Sequence, residues 1–156
     1  MKKENIDQEL KETVFDFFYL FSRFEFALKE NGYLNSHETG ANAEPGWDEF
    51  TTKKQVNYKP SEEASLLLKA PPKRQKVDES DRLIWKLIGL DDCKSDLARV
   101  VRLLKTVRNN LFHGGKHDSG GWDNPVRTRF LLTNGIAVLI QLAELAEIQS
   151  DFEGVY

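Results

Sequence analysis

The chain has 156 residues, of which 40% are hydrophobic and 30% charged, enough apolar material for a buried core and enough charge for a solvated surface. Its formal net charge of −3 excludes a polycationic nucleic-acid coat protein, so any anion-binding site must be a local patch. The lone cysteine, Cys93, excludes an intrachain disulfide framework and favours the cytoplasm. We therefore expect a single domain over residues 1–156.

Two stretches bear on targeting and membranes. The start of the chain is polar and lacks the uninterrupted apolar core of a signal peptide. The most apolar run, residues 130–148, contains several polar side chains, which favours a buried helix over a membrane span. These polar residues are Thr133, Asn134, Gln141, Glu144 and Glu147.

The first predicted helix covers residues 6–31 and ends at Asn31-Gly32. Its apolar residues recur at steps of three and four, so they form one stripe. Further phenylalanines widen that stripe, and we interpret them as core rather than as a base-stacking platform. The stripe comprises Leu10, Val14, Phe17, Phe21, Phe24 and Leu28, and it is widened by Phe15, Phe18 and Phe26.

The middle of the chain gives weaker signals. Residues 33–60 begin with a polar loop, and the aromatic residues after it indicate either a short helix or a pinned loop. Ser61 is a candidate N-cap for a helix that Pro71-Pro72 ends. The basic run at residues 73–76 is interpreted as a solvated loop, with a phosphate-contacting or nuclear-import patch as the alternative. Residues 79–90 form a short amphipathic piece, and no convincing alternating strand pattern is found.

Two strong helices follow. The helix over residues 92–113 has candidate caps at Asp91-Asp92 and Ser95, and Leu97, Val100, Leu104, Val107 and Leu111 form its core stripe. Residues 114–124 are a glycine-rich loop, and Asn124-Pro125 starts the last helix, over residues 125–149. The predicted fold is all-α: a bundle of four main helices plus short helices.

The candidate site lies where the helix over residues 92–113 ends at a double glycine. Arg108 offers a permanently charged planar donor fork, and His113 offers a group that exchanges protons near neutral pH. Asn109 and His113 are four apart and share a face, whereas Arg108 and His113 diverge by about 140°. They can converge on one ligand if the helix unwinds at His113, or if two copies meet about a twofold axis.

The segment Arg108-Asn109-Asn110-Leu111-Phe112-His113 resembles the Arg, four residues, His motif of the HEPN family (higher eukaryotes and prokaryotes nucleotide-binding domains). The first helix, with Arg23-Phe24-Glu25-Phe26-Ala27-Leu28, is similar to the long opening helix of that family. The resemblance implies a HEPN-like fold and metal-independent RNA cleavage in a cleft shared by a homodimer, with no cofactor. His113 would then move protons, Arg108 would hold the scissile phosphate, and Asn109 would orient the phosphate or the imidazole.

The resemblance also suggests a role and partners. Small standalone members resemble toxins of toxin–antitoxin or phage-defence systems, which implies an antitoxin protein as a second partner besides RNA. Lys116, just past His113, is a candidate substrate-binding residue. Other members of the family bind nucleotides or proteins and cleave nothing, so a non-catalytic module is the alternative.

Structural explanations compete with this site. Arg108 could pair with an acidic residue such as Glu25 of the first helix, and His113 could be a helix C-cap. A metal site formed by His113 and His117 is disfavoured because Gly114-Gly115 interrupts the helix between them.

Overall fold

The computed structural model describes residues 6–113 and 124–154, and these residues form a mostly helical fold, as predicted. Three helices are long: α1 (Gln8–Glu30), α4 (Asp96–His113) and α5 (Pro125–Ala146). Three are short: α2 (Trp47–Lys54), α3 (Glu62–Lys69) and α6 (Gln149–Glu153). A 3₁₀ turn, Gln55–Asn57, follows α2, and two strands, β1 (Lys73–Val77) and β2 (Leu83–Leu87), lie between α3 and α4.

The helix starts follow local capping chemistry. The Asp7 carboxylate accepts from the Leu10 N–H at the start of α1, and the Ser61 and Ser95 hydroxyls accept from the backbone three residues on. Asn124 caps α5 in the same way, with Pro125 at the first helical position. Each cap satisfies a backbone donor that has no partner inside its helix.

The core is built where α1 packs against α5 and α6, and where α3 and α4 pack against α5. Phe17, Phe24, Leu104 and Leu139 are among its fully buried side chains. Gly135 lets α5 approach α1 closely, because a Cβ there would lie 2.8 Å from the Phe17 ring. The predicted widening of the α1 stripe is wrong at Phe15, which is 66% exposed and stacks on Tyr19 instead.

Helix α2 docks on the core through aromatic residues. Trp47 packs on Phe21 and Phe24 of α1, and its indole N–H donates to Glu25 Oε1 at 2.9 Å. The aromatic side chains of residues 33–60 therefore pin a short helix, which was one of the two predicted alternatives.

The last helix is shorter than predicted. Helix α5 ends at Ala146, because Glu147 adopts a left-handed conformation with φ 60°. The Glu147 and Ile148 N–H groups bond back to the carbonyls of Glu144 and Ala143, and Ile148 is buried. These bonds and the buried side chain end the helix as a C-cap motif.

By length and composition alone, α5 could cross a membrane. The core helix of a soluble protein passes the same test, and 44% of the most apolar 18-residue window of α5 is buried inside the protein.

The β-hairpin corrects the sequence analysis. Residues 73–76, interpreted as a solvated loop, belong to β1, and the amphipathic piece at residues 79–90 contains β2. The strands pair antiparallel, with Lys73 opposite Leu87 and Gln75 opposite Trp85. The hairpin rests against α4 through β1, and this contact shapes the candidate site.

Candidate functional site

Helix α4 carries the candidate residues to its last turn. It continues without interruption to His113, so unwinding at this residue, one of the two alternatives for bringing Arg108 and His113 together, does not occur. Arg108 is half-buried, whereas Asn109 and His113 are exposed. The double glycine and Lys116, the predicted substrate-binding residue, lie outside the described residues.

The Arg108 side chain lies on the aromatic side of α4. Its guanidinium carbon is 5.3 Å from the centre of the Phe112 ring and 5.7 Å from that of Phe21, distances typical of cation–π contacts. Its Nη1 donates to Asn109 Oδ1 at 3.0 Å. The suggested ion pair with Glu25 does not form: Glu25 accepts from Trp47 instead, and no carboxylate among the described residues pairs with Arg108.

His113 lies on another side of the helix. It lines a cavity of about 320 Å³ together with Asn109 and Asn110 of its own helix. Arg108 does not line this cavity, as expected from the 140° separation along an intact helix. Within one chain, therefore, α4 brings Asn109 and His113 together but not Arg108 and His113.

A different guanidinium lines the His113 cavity. The hairpin contributes Arg74, Gln75 and Trp85 to the cavity wall. Sequence analysis placed Arg74 in a basic run that was interpreted as a loop, with a phosphate-contacting patch as the alternative. Nothing in the local sequence indicated that Arg74 and His113 would share a cavity.

Three hydrogen bonds fix the base of the hairpin. Asn110 Nδ2 donates to the Lys73 carbonyl at 2.8 Å, and Arg127 of α5 donates to the carbonyls of Ala70 and Pro71 just before β1. Behind β2, Arg102 Nη1 donates to the Gly89 carbonyl at 2.9 Å. The hairpin is thus held at both ends by helix side chains, and Arg74 follows directly after one of these anchors.

A second cavity, of about 700 Å³, adjoins the first and shares Arg74 and Asn109 with it. Helix α2 forms one wall, and α4 with the segment before it contributes Lys94, Arg102 and Lys105. We call the two cavities together the α4 groove.

Charge in the α4 groove is predominantly positive. Its cationic side chains are Arg74, Lys94, Arg102 and Lys105, against the carboxylates of Asp48 and Asp92. Arg102 and Asp92 form a two-pronged ion pair, with N–O distances of 2.5 and 2.9 Å, and the guanidinium holds the pKa of that carboxyl below its usual value. Among the described residues the other three cations make no ion pair with a carboxylate.

Comparisons of the chain with family models, with curated proteins and with solved structures found no match. In residues 6–113 and 124–154, no three histidine, cysteine, aspartate or glutamate side chains are grouped so that they could hold a metal ion.

Proposed function

We propose that this chain is a metal-independent endoribonuclease that acts as a homodimer in the cytoplasm, with a HEPN-like fold in which α2 and α3 complete a bundle of the three long helices. The observation that carries the proposal is the end of α4. There His113 lines a cavity that also contains the guanidinium of Arg74, while Arg108 lies on the neighbouring side and pairs with no carboxylate of residues 6–113 and 124–154. The resemblance of residues 108–113 to the HEPN motif supports the same reaction.

In this reaction an imidazole transfers the protons and a guanidinium stabilises the charge on the phosphate. His113 takes the proton of the ribose 2′-hydroxyl, and the 2′-oxygen attacks the adjacent phosphorus. The bond from phosphorus to the 5′-oxygen breaks, and the leaving oxygen takes a proton from the His113 imidazolium formed in the first step. The products are a 2′,3′-cyclic phosphate and a 5′-hydroxyl.

The phosphate needs a cation while charge builds on its oxygens. Because Arg108 and His113 diverge within one chain, we assign Arg108 of the second copy to this role. Asn109 accepts a hydrogen bond from Arg108 and also lines the His113 cavity, so it lies between the two functional groups and can orient either of them.

The test is RNA cleavage in EDTA by the purified chain and by His113→Ala. We expect the substitution to lower the rate about 10²- to 10⁴-fold if the imidazole transfers protons, and we expect DNA to remain intact because it lacks the 2′-hydroxyl. His37→Ala is the matched control, since His37 is an exposed histidine that pairs with Glu49 and lines neither cavity of the α4 groove. Equal cleavage by wild type and His113→Ala would contradict the proposal.

The second candidate is a non-catalytic module that binds RNA or nucleotides. The observation in its favour is the divergence of Arg108 and His113 within one chain. The module is supported over the enzyme if the chain binds single-stranded RNA but does not cleave it, even at protein concentrations at which dimers form.

We further propose that the chain is a toxin or phage-defence component restrained by an antitoxin protein. The physical basis is that an RNA-cleaving site of low sequence preference is harmful to its own cell. Normal growth of cells that express the active protein alone would contradict this role.

A further inference from the structure

We propose that the α4 groove binds a single RNA strand and delivers it to His113, and that Arg74 of the hairpin is a phosphate ligand in this groove. This inference rests on the proposed function in taking RNA as the ligand. It adds a binding path and a cation from outside the Arg108–His113 motif.

The first support is continuity along α4. Ala98, Arg102, Lys105, Asn109 and His113 all line the groove and follow one another at steps of four and three. Residues with this spacing lie on one face of a helix. The face is about 22 Å long at 1.5 Å per residue, so it can contact several consecutive nucleotides.

The second support is charge. The groove carries four cations against two carboxylates, whereas the chain as a whole carries 22 basic and 25 acidic residues. A positive channel on a mildly acidic body concentrates a polyanion at that channel rather than over the whole surface. Arg74 sits where the two cavities meet, so a backbone that passes along the groove must cross it.

The third support is a partner for the bases. Trp85 is half-buried in the wall of the His113 cavity, beside Gln75 and opposite the asparagines of α4. Every base has a π-face that can stack on an indole, and amide side chains can hydrogen-bond base edges. An acidic peptide would use the cations but would leave this aromatic wall without a function.

The fourth support is rigidity of the cation. The carbonyl of Lys73, next to Arg74 in the chain, is held by Asn110. A guanidinium mounted on an anchored strand loses less conformational freedom on binding than one on a free loop. The fork of an arginine also matches two phosphate oxygens at once.

The experiment measures fluorescence anisotropy with a labelled single-stranded 2′-O-methyl oligonucleotide, which cannot be cleaved by 2′-hydroxyl attack. We expect Arg74→Ala and Lys105→Ala each to weaken binding about tenfold or more, and each to lower the slope of log K against log salt by about 0.7. Trp85→Ala is expected to weaken binding about 5- to 150-fold while leaving that slope unchanged.

Two controls come from the same elements. Arg82→Ala removes a guanidinium at the tip of the hairpin, where it pairs with Asp78, and Arg99→Ala removes one on α4 that pairs with Asp96. Neither control residue lines the groove, so both variants should bind like wild type. Circular dichroism melting of all variants separates lost binding from lost folding.

The outcomes are decisive for the groove. Equal RNA affinities for Arg74→Ala, Lys105→Ala and the two controls would overturn the groove proposal. Complete displacement of the oligonucleotide by poly-glutamate at equal charge concentration would also overturn it, because the groove would then be a site for acidic peptides. If the groove variants lose binding but wild type cleaves no RNA, the groove stands and the nuclease proposal fails. If wild type cleaves RNA and the groove variants bind normally, only the groove fails.

Discussion

The guanidinium of Arg108 donates to the side-chain oxygen of Asn109, and Asn109 in turn lines the cavity that contains His113. One asparagine therefore lies between the two groups of the predicted motif, although they point to different sides of α4. This arrangement allows one chain to present its histidine to a groove and its arginine to a second molecule.

A shared cleft predicts complementation between two inactive variants. In a mixture of Arg108→Ala and His113→Ala chains, half of the dimers are mixed, and each mixed dimer holds one site with both groups. We expect each variant alone to be nearly inactive and the mixture to recover about a quarter of wild-type activity. RNA cleavage after subunit exchange at micromolar protein measures this recovery.

The control for complementation is a mixture of His113→Ala with the double variant Arg108→Ala/His113→Ala, in which no dimer contains His113. This mixture should stay inactive. If wild type is active but the mixture of Arg108→Ala and His113→Ala chains is not, both groups of the site must come from a single chain.

The hydrogen bond from Asn110 to Lys73 predicts a local effect on the hairpin. Asn110→Ala removes the side-chain donor and leaves the Lys73 carbonyl without this partner. We expect a loss of about 1 kcal/mol in the free energy of unfolding. Because the hairpin loses one of its anchors, amide hydrogen exchange of β1 should become faster. Exchange of the α1 core amides should change only as much as the lower free energy of unfolding requires. Uniform acceleration over both elements would contradict an anchoring role.

Glu49 predicts an acid-dependent contribution to stability. Its carboxylate accepts from Lys53 at 2.6 Å, from His37 at 2.9 Å and from the Leu34 N–H at 3.1 Å. These contacts lower the pKa of Glu49 from 4.5 to about 2, with Lys53 as the largest cause. A carboxyl with a lowered pKa stabilises the folded state fully above its unfolded pKa, and this stabilisation is lost as pH falls through the folded pKa.

The measurement compares urea unfolding midpoints of wild type and Glu49→Gln. We expect the variant to be less stable near pH 6, with a difference that stays constant down to about pH 4.5 and then shrinks toward pH 2, the pKa limits of this carboxyl. Glu30→Gln, at an exposed position at the end of α1, is the control and should show no such window. A difference for Glu49→Gln that grows on acidification would contradict the assignment.

Gly135 predicts a stability cost for a normally favourable change. Alanine is a better helix former than glycine by about 1 kcal/mol. Its Cβ at this position would lie 2.8 Å from Cε2 of the fully buried Phe17 ring, and overpacking of a core typically costs about 1–3 kcal/mol. We therefore expect Gly135→Ala to lower the thermal midpoint.

Gly89→Ala is the matched control, because a Cβ there meets nothing within 4 Å. That variant should be neutral or slightly stabilising, since alanine restricts the unfolded chain. A rise in the thermal midpoint of Gly135→Ala would mean that Phe17 has room to move.

Local chemistry explains which parts of the fold were predictable. The N-caps Ser61 and Asn124 depend on residues within one helical turn, so they could be predicted from the sequence, and periodicity located α1, α4 and α5 within a few residues. The hairpin was missed because β1 reads Lys-Arg-Gln-Lys-Val and shows no apolar alternation. The bulky residues of β2, Leu-Ile-Trp-Lys-Leu, were a usable strand signal, but their spacing also fits an amphipathic piece of helix.

The candidate site shows the same limit. Helix geometry alone predicted that Asn109 and His113 share a face and that Arg108 diverges from them. The approach of Arg74 to His113 could not be predicted, because it depends on the side chain of Asn110 holding a strand that starts 37 positions earlier in the chain. Contacts of this kind arise from tertiary packing, which leaves no periodic trace in the sequence.

The way the hairpin is attached has a consequence for engineering. Both of its ends are fastened by side chains from the helices, while its turn, around Asp78 to Arg82, closes on its own hydrogen bonds. We therefore expect the exposed strand positions between these two anchors to tolerate substitution, whereas Ile88, which is buried in the core, should not. Variant libraries at these exposed positions would change the wall of the His113 cavity while leaving the helical core and its thermal stability intact.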